Sequence, residues 1–127
     1  MKRQTFLTIA AVVGALPAVL MIAFPAQMME EMDAQQSDVA NVLLQVVGIM
    51  TFSISVILFL TRKDEGSIAL RAIIIGNLIM GIGSIPIDWI AYQRGIFTQI
   101  SSLILSTIIH IIFVIGFIYT LKNLSKK

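Results

Sequence analysis

Four long apolar runs, separated by short polar segments, dominate the pattern of the chain. They cover approximately residues 6–24, 39–60, 68–92 and 100–121. About 20 helical residues cross the roughly 30 Å hydrocarbon core of a bilayer, and helices satisfy their own backbone hydrogen bonds there. The pattern therefore predicts an all-α fold, a four-helix transmembrane bundle, in one domain that spans residues 1–127.

The ends of the runs carry local helix signals. Ser37 or Asp38 is placed to cap the second helix, and Ser67 is placed to cap the third. The first run contains a row of small residues that favours close packing against a neighbouring helix: Ala10, Gly14 and Ala18. A secretory signal peptide is the alternative interpretation of this run. Its length and the lack of a clean cleavage site after it favour a retained span.

Composition supports a membrane location. Of the 127 residues, 57% are hydrophobic and 13% are charged, with a mean hydropathy of +0.94. In soluble domains about a quarter of the residues are charged, so the apolar runs require lipid. The net charge of +2 gives no sign of nucleic-acid binding, and the absence of cysteine excludes disulfides, thiolate metal sites and thiol nucleophiles.

Basic residues are distributed unequally between the two sides of the predicted spans. Eight of them fall at the termini and around the middle loop, and Arg94 alone falls on the other side: Lys2, Arg3, Arg62, Lys63, Arg71, Lys122, Lys126 and Lys127. The positive-inside rule then places both termini in the cytoplasm, an up-down-up-down arrangement. We expect a multi-pass protein of the bacterial inner membrane, with residues 25–38 and 93–98 as outer loops.

Three of the four predicted helices carry one narrow polar stripe each. At about 100° per residue, the following sets each share a face: Asn41, Gln45, Gly48 and Ser55; Asn77, Gly81, Ser84 and Asp88; Gln99, Ser102, Ser106 and His110. Polar residues in lipid face the interior of a bundle, and most of these lie in the outer half of the spans. The stripes therefore predict a pocket that opens outward and is not a continuous channel.

Asp88 is the only acidic residue inside any apolar run, and His110 lies near the middle of the fourth. An intramembrane ionisable group is a functional hypothesis by default. The candidate ligand or proton pocket consists of Asp88, His110, Gln45, Asn77, Ser84, Ser102 and Ser106.

Each candidate also has a structural interpretation. Asp88 is close enough to the interface to reach water or pair with Arg94, and His110 is equally suited to neutral hydrogen bonding between helices. Gln45 and Asn77 fit the role of interhelical hydrogen-bonding residues. Next to Asp88, Trp89 and Tyr92 are expected to anchor the helix at the membrane interface.

Metal and cofactor binding have little support in the sequence. His110 is the sole histidine, and no second one forms a ligand pair with it. Three outer-loop methionines, Met28, Met29 and Met32, are soft ligands suited to copper(I), but apolar side chains beside a helix end more often enter the interface. We therefore expect no cofactor and no metal.

Known small four-helix families differ from this chain in their motifs. Small multidrug transporters need a membrane-embedded glutamate in the first helix, which has none here, and the pore signatures of fluoride channels are missing. The segments "TRKDEGSIALR" (Thr61–Arg71) and "IIIGNL" (Ile73–Leu78) resemble those of uncharacterised small four-helix bacterial inner-membrane proteins. That resemblance implies the fold and no activity.

Two functional hypotheses follow. In the first, the outer pocket binds or moves a small polar or cationic ligand, or a proton, with Asp88 and His110 as its titrating members. In the second, the chain is a non-catalytic accessory subunit or assembly factor of a larger membrane complex. Enzymatic activity ranks below both, because no nucleophile motif is present. The expected partners are the lipid bilayer and either a homo-oligomer or a larger membrane complex, with no nucleic acid.

Overall fold

The computed structural model describes residues 2–124, which form an all-helical fold. Its helices are α1 (Arg3–Ala23), α2 (Pro25–Glu31), α3 (Asp38–Thr61), α4 (Ile68–Gln93) and α5 (Ile100–Leu124). All except α2 are long and apolar enough to cross a membrane. The prediction of four apolar helices is confirmed, and these four candidate spans indicate a membrane protein. Lys126 and Lys127, two of the basic residues used to predict the orientation, lie outside the described residues.

The first predicted outer loop contains a short helix, so the loop prediction is wrong for the seven residues of α2. Pro25 occupies the first position of this helix, where its fixed φ suits the helix and its missing N–H is not needed. The chain then turns at Asp33, which has a φ of 51°. The Thr98 hydroxyl donates a hydrogen bond to the Asp33 carboxylate. The α2–α3 and α4–α5 connections therefore touch.

The predicted helix caps at Ser37 and Ser67 are confirmed. The Ser37 hydroxyl accepts a hydrogen bond from the Ala40 N–H at 3.1 Å, and the Ser67 hydroxyl accepts one from the Leu70 N–H, also at 3.1 Å. Each hydroxyl satisfies one of the backbone donors that the first turn of a helix leaves free. These two residues fix the starting points of α3 and α4.

Helices α1 and α3 pack closely along their length in an antiparallel direction. A Cβ built on Gly14 would lie 2.7 Å from the Ser55 Oγ, and one built on Gly48 would lie 2.9 Å from the Ala18 carbonyl oxygen. Ala10 and Ala18 are buried. The predicted packing role of the small residues in α1 is therefore confirmed, because the missing side chains allow the two backbones to approach.

Helices α4 and α5 form the second closely packed antiparallel pair. The two pairs meet mainly near one end, where all four long helices contribute to a single apolar core: Phe6, Leu7, Ala10, Ala11, Leu58, Leu70, Ile74, Phe117 and Leu124. The rings of Phe6 and Phe117 meet edge to face with centroids 5.2 Å apart, a favoured arrangement for aromatic pairs.

This end of the fold, where α1 and α4 begin and α3 and α5 end, is called the basic end below. Its connections are held by side-chain hydrogen bonds to backbone carbonyls. The Arg71 guanidinium donates to the Leu124 carbonyl at 2.8 Å and so occupies a free acceptor at the end of α5. The Arg3 guanidinium donates to the Asp64 carbonyl in the α3–α4 connection.

The Asp64 carboxylate organises that connection. It accepts the Ser67 hydroxyl and the backbone N–H groups of Ser67 and Gly66. The hydrogen bond from the Ser67 hydroxyl is the main reason that the pKa of Asp64 lies below its usual value, followed by the bond from the Ser67 N–H; burial opposes the shift. Gly66 completes the turn with a φ of 115°, a region that favours glycine.

Replacing Asp64 with asparagine is expected to lower the thermal unfolding temperature at neutral pH. A carboxyl group whose pKa is lower in the folded state stabilises that state above its unfolded pKa, and loses this effect as the pH falls through the folded pKa. The difference between the native protein and Asp64→Asn should therefore narrow below pH 3.8, the reference pKa of the group. Thermal unfolding in detergent, followed by circular dichroism, measures it. Glu65→Gln, a change at an exposed neighbouring residue, should leave the unfolding temperature unchanged. If the native protein and Asp64→Asn differ in unfolding temperature by the same amount at every pH, the stabilising role of the ionised Asp64 carboxylate is contradicted.

Candidate functional site

Asp88 and His110 are joined through one side chain, Ser106. The Ser106 hydroxyl lies 3.3 Å from the Asp88 Oδ2 atom and 3.3 Å from the His110 Nδ1 atom. The Nδ1 atom also lies 2.9 Å from the Ser106 carbonyl oxygen, one turn earlier in α5. All three side chains are half-buried. An acid on α4 and an imidazole on α5 therefore belong to one hydrogen-bond network across the helix pair.

The single hydroxyl proton of Ser106 links the states of its two partners. When Nδ1 carries a proton, it donates to the Ser106 carbonyl oxygen, and the hydroxyl is free to donate to the Asp88 carboxylate. When Nδ1 is unprotonated, it becomes a competing acceptor for the same hydroxyl proton. The hydrogen bonds of His110 within residues 2–124 all use Nδ1. The direction of the Ser106 hydroxyl therefore depends on whether Nδ1 carries a proton.

The arrangement differs from a catalytic triad. In a triad the base lies between the nucleophile and the acid and is oriented by that acid. Here Asp88 contacts the serine and not the imidazole, so the acid does not orient the base. The network therefore lacks the order of contacts that activates a serine for attack.

The other predicted pocket residues lie apart from this network. The Gln45 amide donates to the Ile22 carbonyl at 3.0 Å and thereby joins α3 to α1. Asn77 donates to the Ile73 carbonyl and Ser84 to the Met80 carbonyl, both at 2.8 Å and both within α4. Ser102 is exposed. The structure thus brings together three of the seven predicted residues, Asp88, Ser106 and His110, and gives Gln45, Asn77 and Ser84 backbone partners.

The two aromatic residues next to Asp88 differ in their surroundings. The Trp89 indole N–H donates to the Thr107 hydroxyl at 3.2 Å, and 38% of its surface remains exposed. Tyr92 is half-buried one turn later. Because Trp89 follows Asp88 and Thr107 follows Ser106, the indole hydrogen bond runs directly beside the network.

Two cavities lie elsewhere in the fold. One, of about 350 Å³, lies at the basic end between α1 and α5. The other, of about 170 Å³, lies between α3 and α4 and is lined by Ile54, Ile57, Ile73, Gly76 and Asn77. Neither cavity is lined by Asp88 or His110. Of the seven predicted pocket residues, only Asn77 lines one of these two cavities, the one between α3 and α4.

Sequence reasoning missed two parts of this region. The first is Thr107, the indole's partner; its position directly after Ser106 is a signal, although the pairing with Trp89 depends on the register between α4 and α5. The second is the cavity at the basic end, away from the outer half of the spans in which the polar stripes predict a pocket. It depends on which faces of α1 and α5 meet, and the sequence pattern alone does not specify that.

Comparison of the chain with protein-family models, curated proteins and solved structures finds no match. Its class, a membrane protein with four candidate spans, follows from its helices.

Proposed function

We propose that this chain is a small polytopic membrane protein that binds or moves a proton, or a small polar or cationic ligand, at Asp88, Ser106 and His110. The observation that carries the proposal is the shared Ser106 hydroxyl, 3.3 Å from both partners. Imidazole is the side chain that normally changes charge between pH 5 and 8. A proton gained by His110 makes Nδ1 a donor, which directs the hydroxyl toward the carboxylate.

The proposal includes an orientation in the bacterial inner membrane, with both termini in the cytoplasm and the site open to the outside. It is supported by the basic end, where six basic residues lie close to the ends of the long helices: Lys2, Arg3, Arg62, Lys63, Arg71 and Lys122. Excess lysine and arginine marks the cytoplasmic side. Asp88 lies five residues from the end of α4, toward the opposite end of the fold.

Cysteine accessibility tests this orientation, and the natural chain has no cysteine to interfere. Cysteines at Gln35, in the α2–α3 connection, and at Gln93, the last residue of α4, should react with a membrane-impermeant maleimide in intact cells, because both positions are exposed. A cysteine at Glu65 should react only after lysis. Gln93 is preferable to Gly95, because Gly95 has a φ of 67° that strains other residues. Labelling of Glu65 in intact cells would overturn the orientation.

The emission of Trp89, the only tryptophan, tests the network. We expect it to change between pH 5 and pH 8, because the indole hydrogen bond to Thr107 lies beside Ser106. His110→Gln and Asp88→Asn should each reduce the change. The double variant should lose no more than the larger single variant, since residues of one network are not additive. Fluorescence titration of the purified protein in detergent measures it.

Two serines of α5 supply a matched pair for the same titration. Ser106→Ala removes the shared hydroxyl and should reduce the pH-dependent change as strongly as His110→Gln. Ser102→Ala removes the same group one turn away, at an exposed position outside the network, and should leave the change intact. Equal behaviour of the two serine variants, or full additivity of the Asp88 and His110 substitutions, would count against a shared site.

An accessory-subunit role is the second candidate, and a separate observation favours it. Gln45, Asn77 and Ser84 donate to backbone carbonyls of α1 and α4 and so act as structural hydrogen-bonding residues. Few residues in the apolar windows of α4 and α5 are buried, so wide faces remain for lipid, another copy of this chain or another subunit. Additive, pH-independent effects in the fluorescence experiment would favour this role.

A further inference from the structure

The larger cavity lies where α1 begins and α5 ends, and its lining changes character along its length. Three residues form an apolar part, Phe6, Ile115 and Gly116. The remaining lining residues carry polar groups: Arg3, Tyr119, Thr120 and Asn123. Its volume of about 350 Å³ falls in the range of small-molecule sites, about 300–1,000 Å³. The cavity is therefore amphipathic, with its polar lining contributed by the ends of two candidate spans.

In the apolar part of the cavity, Gly116 of α5 lies directly against the Phe6 ring of α1. A Cβ on Gly116 would lie 2.2 Å from the Phe6 ring, so any larger residue would displace that ring. Ile115 and Tyr119 line the same cavity and are 62% and 63% exposed. Since these exposed faces belong to a candidate spanning helix, the cavity opens sideways, toward the region that lipid chains occupy.

The polar part carries a positive charge that the protein only partly satisfies. The Arg3 guanidinium donates to the Asp64 carbonyl, an acceptor without formal charge. Its Nε atom is buried and has no hydrogen-bond partner among residues 2–124. The Arg3 side chain as a whole is only half-buried and lines the cavity, so part of it is accessible to a ligand there. Guanidinium groups bind phosphate particularly well, through several parallel N–H donors.

The basic end as a whole adds to this attraction. Lys2 and Lys122 flank the residues that line the cavity. Of the two acids in the nearby connection, the Asp64 carboxylate is attracted to Arg3 but is hydrogen-bonded within its own turn. Neither Asp64 nor Glu65 lines the cavity. Basic pockets between transmembrane helices are a known form of site for anionic lipid headgroups.

We propose that the cavity between α1 and α5 is a binding site for one anionic phospholipid. Arg3 and Asn123 receive the phosphate, and Phe6, Ile115 and Gly116 receive the upper part of an acyl chain. A free phosphate ion would use the polar part and leave the apolar part empty, whereas a phospholipid matches both. The site is separate from Asp88, Ser106 and His110, and does not depend on the function proposed for them.

Tryptophan quenching by brominated lipids tests the proposal in a background that carries Trp89→Phe. Tyr119→Trp places a reporter at the cavity, at an exposed aromatic position. Leu60→Trp places a matched reporter on α3 at the same end; Leu60 is 70% exposed and does not line the cavity. Each protein is reconstituted in phosphatidylcholine vesicles with the same minor fraction of brominated phosphatidylglycerol or brominated phosphatidylcholine.

We expect brominated phosphatidylglycerol to quench the Tyr119→Trp reporter more strongly than brominated phosphatidylcholine does. The difference should correspond to about fivefold enrichment of phosphatidylglycerol at the cavity, since one basic residue near anionic lipid contributes about 1 kcal/mol. Anionic lipid is also attracted to the basic end near the Leu60→Trp reporter. This reporter lies outside the cavity and should therefore show a smaller preference for phosphatidylglycerol over phosphatidylcholine. Arg3→Gln should abolish the difference between the reporters, and Arg3→Lys should retain most of it.

Two further variants distinguish lipid binding at the cavity from misfolding and from general electrostatic attraction of anionic lipid to the basic end. Asn123→Asp adds a negative charge at an exposed cavity residue and should remove the preference at the cavity reporter without unfolding the chain. Lys63→Gln removes one charge from the same end, outside the cavity, and should leave the difference between reporters unchanged. Equal preference at both reporters, or a preference that survives both Arg3→Gln and Asn123→Asp, would overturn the lipid site.

Discussion

Replacing Phe117 with alanine is expected to lower the free energy of unfolding by about 3 kcal/mol, the low end of the range for a buried phenylalanine, because packing is lost but little apolar surface is transferred to water. Phe117 is 4% exposed and packs against Phe6 and Phe113. It belongs to the core that joins the two helix pairs. In lipid, helix association depends on such packing because apolar burial alone gives little preference for protein over lipid.

Reversible unfolding in mixed micelles, titrated with a denaturing detergent and followed by circular dichroism, measures this change. Phe52→Ala is the matched control, because Phe52 lies on α3 and is 39% exposed. Removing the Phe52 ring should lower the free energy of unfolding much less, because its removal leaves no enclosed cavity. Equal destabilisation by the two substitutions would show that the Phe117 contacts do not hold the helix pairs together.

Replacing Gly48 with valine should lower the free energy of unfolding by about 1–3 kcal/mol, the range for overpacking a close contact. The Cβ would lie 2.9 Å from the Ala18 carbonyl oxygen and 2.9 Å from side-chain atoms of Met21 and Ile22. A backbone oxygen cannot rotate away as a flexible side chain can, so α1 and α3 must separate.

Gly83→Val is the matched control for this prediction. Gly83 is also inside a long helix, but no atom lies within 4 Å of the Cβ that would be added there. Both substitutions change intrinsic helix propensity by the same amount, so the difference between them isolates the helix contact. The same micelle titration compares them. A Gly83 variant as unstable as the Gly48 variant would refute close α1–α3 packing.

The candidate site illustrates where sequence reasoning succeeds and where it ends. Helical periodicity placed Asn77, Ser84 and Asp88 on one stripe, yet in the structure the first two donate to carbonyls of their own helix. A shared face does not determine whether a short polar side chain reaches a neighbour or its own backbone, because both bonds satisfy the donor equally well in lipid.

The contact of Ser106 with both Asp88 and His110 depends on a different kind of information. Ser106 and His110 are four residues apart on α5, a spacing that brings them together in any helix. Asp88 is on another helix, and its approach requires the register between α4 and α5 that also aligns Trp89 with Thr107. That register follows from packing along the whole pair and from the turn at Gly95, neither of which a single stripe encodes.

The sequence by itself determined the four apolar helices, the caps at Ser37 and Ser67 and the close packing of the small residues of α1, because these depend on local chemistry and helical spacing. Only the tertiary structure decided that α1 and α3 form one pair, that this pair joins α4 and α5 at the basic end, and that the larger cavity lies there between α1 and α5. Apolar faces of Ile, Leu, Val and Phe are nearly interchangeable as partners in lipid. Their pairing is set by the shape of specific contacts, such as Gly116 against the Phe6 ring, and shape complementarity exists only once the helices have been brought together.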